Sequence, residues 1–312
     1  MPLELDPELK PAMDAYFANR PAPEARGDAL AIRRQIETAM SAVAALPPVP
    51  GVSRTDFTAI SADGTEIALR WLAPDGERPG SAVVWLHGGG MVFGDVEPCL
   101  PQAARLAAAC GVPLLAVDYR CAPEHPHPAP VEDAFAGLAW LHEHAAELDV
   151  DPARTAIMGE SAGGGLAAGV TLLARERGLP IARQVLIYPM LDDRNTEPDP
   201  ELEPLLTWSY DRNFTGWHAL LGDLAGTSDV PATAAPARAD DLSGLPPAYV
   251  DVGDLDIFRD EDIEYARRLA AAGTPVELHV RPGCPHAFES AVPEAAVSQR
   301  SQQDRIRVLR AL

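Results

Sequence analysis

The chain has 312 residues, of which 47% are hydrophobic, so it is long enough to bury one large core with insertions. Its 46 Asp and Glu against 25 Lys and Arg leave a net charge of -21, which repels nucleic acid and anionic membrane surfaces and makes neither an expected partner. Four cysteines at 99, 110, 121 and 284 have neither metal-ligand spacing nor disulfide-framework density, and are expected to be buried free thiols.

The first residues, Met1-Pro2-Leu3-Glu4-Leu5-Asp6, carry no basic segment and no apolar stretch of secretory length, and no run of about 18 apolar residues follows anywhere, so a cytoplasmic protein is expected. Residues 1–55 read as helical with proline breaks: helices over 8–18 and 28–46, then Pro47-Pro48-Val49-Pro50 as a linker. This segment is expected to form the first half of a lid. Strands are predicted near 56–60, 67–72, 82–87, 112–118, 155–159, 183–188, 247–253 and 276–281. Helices near 98–110, 131–147, 162–177 and 260–272 alternate with most of them, which predicts an α/β fold with a mostly parallel, doubly wound sheet and its chemistry at the strand carboxyl ends.

Residues 81–86 form a short, nearly continuous apolar run that feeds into His87-Gly88-Gly89-Gly90. Consecutive glycines after a buried strand let backbone N–H groups approach a ligand closely, as in loops that donate to an oxyanion. Further on, Thr155-Ala156-Ile157-Met158 leads into Gly159-Glu160-Ser161-Ala162-Gly163 and an Ala/Gly/Leu-rich helical stretch. A lone Gly-x-Ser-x-Gly arises by chance about one time in ten in a chain of this length, so its strand-turn-helix context carries the weight. In that context Ser161 sits on a strained turn, and a Cβ at the flanking glycines would collide with neighbouring backbone.

Residues 192–246 read as a second insertion, in which Glu197-Pro198-Asp199-Pro200 precedes a stretch over 205–221 rich in Trp, Tyr, Phe and Leu. Trp208, Phe214 and Trp217 either line an acyl or alcohol pocket or pack this segment onto the body, and the two readings are compatible. A serine hydroxyl needs a histidine to take its proton, and the histidine needs a carboxylate to hold its tautomer. Downstream of Ser161 the histidines are His218, His279 and His286. His286, in the turn-rich Pro282-Gly283-Cys284-Pro285-His286-Ala287-Phe288, is the expected base; His279 alternates within a strand and His218 lies in the inserted helix. Asp256, just past the strand at 247–253, is the favoured acid, Asp254 is the alternative, and Asp260 reads as an early-helix residue favoured by the dipole.

Together His87-Gly88-Gly89-Gly90, the block Asp118-Tyr119-Arg120-Cys121-Ala122-Pro123-Glu124-His125-Pro126, Gly159 to Gly163, Tyr188-Pro189, the Asp256 segment and His286 resemble the bacterial hormone-sensitive lipase family of carboxylesterases, within the α/β-hydrolase fold. The resemblance implies a helical cap on the sheet, Ser161, Asp256 and His286 as nucleophile, acid and base, and an oxyanion hole of the Gly88, Gly89 and Ala162 amides. It makes His87 a loop-shaping residue. Two positions depart from the usual pattern: Glu160 stands where Asp or Thr is frequent, and Ala287 where Gly often follows the histidine. The 118–126 block reads as architectural, a tight turn under the site whose charges pair locally.

The expected organisation is a cap segment at 1–55, a catalytic first part at 56–191, a second cap segment at 192–246 and a catalytic second part at 247–312. The expected activity is hydrolysis of short to medium acyl esters through an acyl-enzyme, with no metal or organic cofactor and a small-molecule ester as partner. Amides, lactones or N-acyl compounds are alternative substrates for the same triad, and a non-catalytic receptor is the alternative of another class. No interfacial amphipathic anchor speaks for long-chain lipase action. Similar proteins form homodimers through a sheet edge, for which the residues here give no signal.

Overall fold

The computed structural model describes residues 3–44, 47–76 and 79–312. Helices α1 (Lys10–Asn19) and α2 (Ala29–Ala44) come first; the end of the second expected helix, at Ala45 and Leu46, lies outside the described residues. Then follow β1 (Val52–Ile60), β2 (Glu66–Pro74), β3 (Ala82–Leu86), α3 (Leu100–Cys110), β4 (Leu114–Val117), α4 (Ala129–Glu143), β5 (Thr155–Glu160), α5 (Ala162–Arg177), β6 (Arg183–Ile187), α6 (Tyr210–Leu221), β7 (Ala248–Leu255), α7 (Arg259–Ala271), β8 (Val276–Pro285), α8 (Phe288–Ala291) and α9 (Ala296–Arg310).

The strands form one sheet in the order β1-β2-β4-β3-β5-β6-β7-β8, antiparallel at β1/β2 and β2/β4 and parallel from β4 through β8. The continuous apolar reading of β3 follows from burial on both faces: Ala82, Val84 and Leu86 enter the core shared with α4, α5 and α7, while Val83 and Trp85 enter the core shared with α3 and α9. Burial of Val83, Val84 and Leu86 contributes about 1.5–3 kcal/mol each. All eight expected strands are present. The edge strand β1 begins four residues before its predicted start, because Ser53 to Asp56 are exposed and carry no apolar signal.

Helix α9 has no counterpart among the predicted elements. Its inward face consists of Val297, Val308 and Leu309 interleaved with buried Ser298, Ser301 and Arg305, so its hydrophobic period is broken by polar groups that only tertiary partners satisfy. The segment before β1 and the one carrying α6 meet: the Gly27 N–H donates to Thr215 Oγ1 at 2.9 Å, and Arg212 donates to Glu24 at 2.5 Å and to Gln35 at 2.6 Å. Helix α1 docks elsewhere, with Leu9 and Met13 against Cys284, Phe288 and Val292. Among the described residues no helix is long and apolar enough to cross a membrane. The four cysteines are buried and free, and burial pushes the Cys99 thiol up to about 12.

Candidate active site

Strand β5 is buried along its whole length and ends in a turn at Ser161, whose φ of 57° lies in the left-handed region that a side chain rarely adopts. The turn is held by the Ser161 N–H to the Ile187 carbonyl at 2.9 Å and by the Met190 N–H to the Ser161 carbonyl at 3.0 Å. Glycine is required on both sides. A Cβ on Gly159 would stand 2.0 Å from the Gly163 carbonyl oxygen, and one on Gly163 would stand 2.2 Å from that of Leu86. The expected elbow is therefore present, and it packs directly under the loop that follows β3.

Beyond β8, His286 Nε2 lies 3.0 Å from Ser161 Oγ, and His286 Nδ1 lies 2.6 Å from Asp256 Oδ2. Asp256 is 1% exposed and its other oxygen accepts the Phe258 N–H at 3.1 Å. In a neutral imidazole these contacts fit the tautomer in which Nδ1 donates to the carboxylate and Nε2 accepts from the hydroxyl. The structure thus brings Ser161, His286 and Asp256 together and separates the other candidates. Asp254 accepts the Gly283 N–H at 2.6 Å, which anchors the strand leading to His286. Asp260 pairs with Arg259 in the first turn of α7. His279 bonds Glu277, and His218 bonds the Phe214 carbonyl within α6.

The loop at Gly88 to Gly90 lies over the nucleophile, since a Cβ on Gly88 would meet Ser161 Cβ at 3.2 Å. Gly89 has φ +133° and its carbonyl accepts the N–H groups of Val92 and Phe93, which turns the chain back. His87 is fully buried, bonds the Gly88 carbonyl through Nδ1 at 2.7 Å and stacks on Tyr119 at 4.4 Å; burial pushes it down to about 4, so it stays neutral. The Tyr119 hydroxyl donates to the His87 carbonyl at 2.6 Å, so the 118–126 block does lie under the site. Its charges, however, do not pair locally: Arg120 bonds Asp133 on α4 and Asp63, and Glu124 bonds Arg33 on α2. Those partners are distant in sequence because the block bridges α2, α4 and the turn between β1 and β2.

Trp208 and Trp217 are both buried in the core but lie at different distances from the serine turn. Trp208 covers the glycine loop, where a Cβ on Gly90 would reach its ring at 2.4 Å, and it stands 6.5 Å from the His286 ring. Trp217 is fully buried in the core, and Phe214 stacks on His218 under Arg26. A cleft of about 1020 Å³ between the segment over 192–240 and α7 reaches Asp256 but is walled by charged groups such as Asp199, Arg238 and Asp260.

Sequence reasoning missed a buried set of charges behind the elbow. The Glu160 carboxyl accepts two bonds from Gln102 Nε2, at 3.0 and 2.8 Å, and burial pushes it up to about 7, with Glu289 adding to the rise and Arg305 opposing it. Glu289 pairs with Arg305 at 2.6 Å and accepts the Tyr188 hydroxyl at 2.8 Å. The signal available was Glu160 itself, a carboxylate inside an otherwise apolar strand. Elsewhere, among the described residues, Glu277, His279 and Asp304 bring one ligand atom each within 4.8 Å of one another, and Arg307 and Arg281 already bind these carboxylates.

The match to known proteins is broad. A family model for the alpha/beta hydrolase fold matches residues 83–290. Carboxylesterase NlhH of Mycobacterium tuberculosis is 36% identical over 302 residues, covering 94% of this chain and 92% of the relative. Ethyl acetate hydrolase of Pseudomonas putida is 32% identical over 311 residues, covering 92% of each. A bacterial heroin esterase structure superposes with a TM-score of 0.89 at 39% identity, covering 98% of this chain and 97% of that one. With the elbow, the glycine loop and the expected sheet all in place, this chain belongs to the α/β-hydrolase fold family, in its hormone-sensitive-lipase-like branch.

Proposed function

We propose that this chain is a serine carboxylesterase acting on short to medium acyl esters, with Ser161 as nucleophile, His286 as base and Asp256 as the orienting acid. The observation that carries the reading is the Asp256, His286, Ser161 hydrogen-bond chain at 2.6 and 3.0 Å. His286 takes the hydroxyl proton as Ser161 Oγ attacks the ester carbonyl. The amides of Gly88, Gly89 and Ala162, the donors the family resemblance implies, receive the oxyanion, each donor being worth roughly 3 kcal/mol. His286 then protonates the leaving alcohol, Asp256 stabilising the imidazolium, and a water deprotonated by His286 cleaves the acyl-enzyme.

Residues 1–55 and 192–246 are read as the two halves of a cap, supported by the bonds of Gly27 to Thr215 and of Arg212 to Glu24. Trp208, from the second half, lies against the glycine loop and limits the space above the nucleophile. The test is initial-rate hydrolysis of p-nitrophenyl esters from acetate to palmitate, with Ser161→Ala alongside. Activity that peaks at short chains and vanishes in the variant supports the reading. Activity retained in the variant refutes the nucleophile, and a folded protein inert on every ester shifts the reading to amide or lactone substrates or to a receptor.

A further inference from the structure

The imidazole of His286 is held by more than its two hydrogen bonds. Tyr188, which follows β6 at a strained φ of +35°, meets the ring edge-on with centroids 4.5 Å apart, and Phe258 meets the same ring at 5.3 Å. The Tyr188 N–H is tied to the Asp251 carbonyl at 2.6 Å, and its hydroxyl donates to Glu289 Oε1 at 2.8 Å. That same oxygen accepts from Arg305 Nη1 at 2.6 Å, and the guanidinium lies 5.7 Å over the Tyr188 ring. Glu289 is only three residues beyond His286, at the start of α8, so the ion pair grips the histidine loop from within as well as through the tyrosine.

We propose that Glu289 and Arg305 are positioning residues for His286, acting through the Tyr188 ring, and that Glu289 offsets the buried charge that Arg305 alone would set against the imidazolium. The proposal rests on the reading of His286 as the general base. Neither residue touches the reacting atoms. A fully buried pair at this place costs desolvation, yet it sits two contacts from an imidazole that must become positive in each half-reaction. Arg305 opposes that imidazolium, and Glu289 offsets Arg305.

Other charged and titratable groups face the pair from each neighbouring element. Glu160 comes from the end of β5, with Gln102 from α3 bonded to it, and Arg105 of α3 lines the adjoining cavity of about 450 Å³. Asp251 of β7 lies 3.6 Å from Arg305 and is itself held by Arg281 of β8, Tyr249 and Ser301. Cys284 stands two residues before the histidine, and Asp256 closes the far side. Met40 and Val43 of α2 line the same cavity, and Thr207 and Trp208, from the segment before α6, lie against His286; all four are uncharged.

The experiment measures the acid limb of kcat/KM in Glu289→Gln, in the double variant Glu289→Gln/Arg305→Met and in Tyr188→Phe, with His286→Ala as a parallel control. Removing the carboxylate alone leaves Arg305 less compensated and disfavours the imidazolium, so the acid limb moves to lower pH by roughly 0.5 to 1 pH unit. Removing both charges returns the limb to within about 0.2 pH unit of the wild type, because the net local charge is restored. Tyr188→Phe keeps the charge and the ring but frees the hydroxyl tether, so kcat falls about 3- to 10-fold while KM changes less than about twofold. A purely structural role lowers melting temperature and kcat without moving the limb. If His286→Ala is inactive while Glu289→Gln leaves the limb where the wild type has it, the proposal is overturned; if His286→Ala remains active, the general-base reading fails instead. Should Glu289→Gln not fold, Tyr188→Phe decides, and a kcat within about twofold of the wild type overturns the proposal.

Discussion

Glu160 next to the nucleophile makes stability depend on pH in a direction opposite to that of an ordinary salt-bridged carboxylate. Its carboxyl rises from the ordinary 4.5 to about 7 because burial disfavours the charged form. Below the lower value both folded and unfolded chains hold the proton, and this residue contributes no pH dependence. Between the two, the unfolded chain releases the proton while the folded one keeps it, so stability falls as pH rises. Above the upper value both are ionised and the loss is complete, at about 3 kcal/mol from 1.36 kcal/mol per pH unit. Glu160→Gln is isosteric, leaves Gln102 a partner through an amide flip, and does not titrate. Its stability relative to the wild type should therefore be near equal at about pH 4.5 and become greater by up to about 3 kcal/mol at about pH 8. Urea unfolding of both proteins across that range, followed by tryptophan fluorescence, measures the difference, and the other carboxylates cancel in it. A difference independent of pH, or one that turns against the variant as pH rises, refutes the assignment of Glu160 as a buried, desolvated acid.

Other residues give sharper changes in rate. Asp256→Asn should lower kcat by about 10⁴ through loss of the histidine tautomer, whereas Asp254→Asn, whose carboxylate receives backbone N–H groups at Gly283 and Cys284, should change kcat less than about tenfold. A larger kcat loss in the second would reverse the choice of acid. Gly163→Ala places a Cβ 2.2 Å from the Leu86 carbonyl oxygen and should displace the glycine loop, lowering kcat/KM by about 10² or more in steady-state assays. Ala287, at φ 58°, occupies the left-handed region, so Ala287→Gly should stabilise the protein by about 0.5–1 kcal/mol in urea unfolding, strain relief exceeding the added freedom of the unfolded chain. Unchanged or lower stability there would show that the loop tolerates Ala without strain.

Much of the site was legible because its chemistry is written in local patterns. The turn at Ser161 forces glycine at 159 and 163, and the strand before it must be apolar because it is buried on both sides. The choice of His286 followed from its loop context and from chain order. The same reasoning ranked Asp256 above Asp254 by position alone, and the two side chains differ in role only through what lies across the fold from each. The stretch over 205–221 announced an aromatic segment, but nothing local distinguishes Trp208, laid over Gly90, from Trp217, buried in the core. Helix α9 escaped for a related reason: Arg305 reads as a surface residue until Glu289 and Asp251 are placed against it.

By itself the sequence determined the alternation of strands and helices, the strained serine turn, the glycine loop and the residue types able to form a triad, because each rests on interactions within a few residues or on the period of apolar side chains. Tertiary structure alone decided the strand order, the carboxylate that reaches His286, the long-range pairing of the block under the site and the buried charges of Glu160, Glu289 and Arg305. Those depend on groups far apart in the chain, as with Ser161 and His286 at a separation of 125 residues, whose meeting is set by how strands stack in the sheet and by which buried charges find partners.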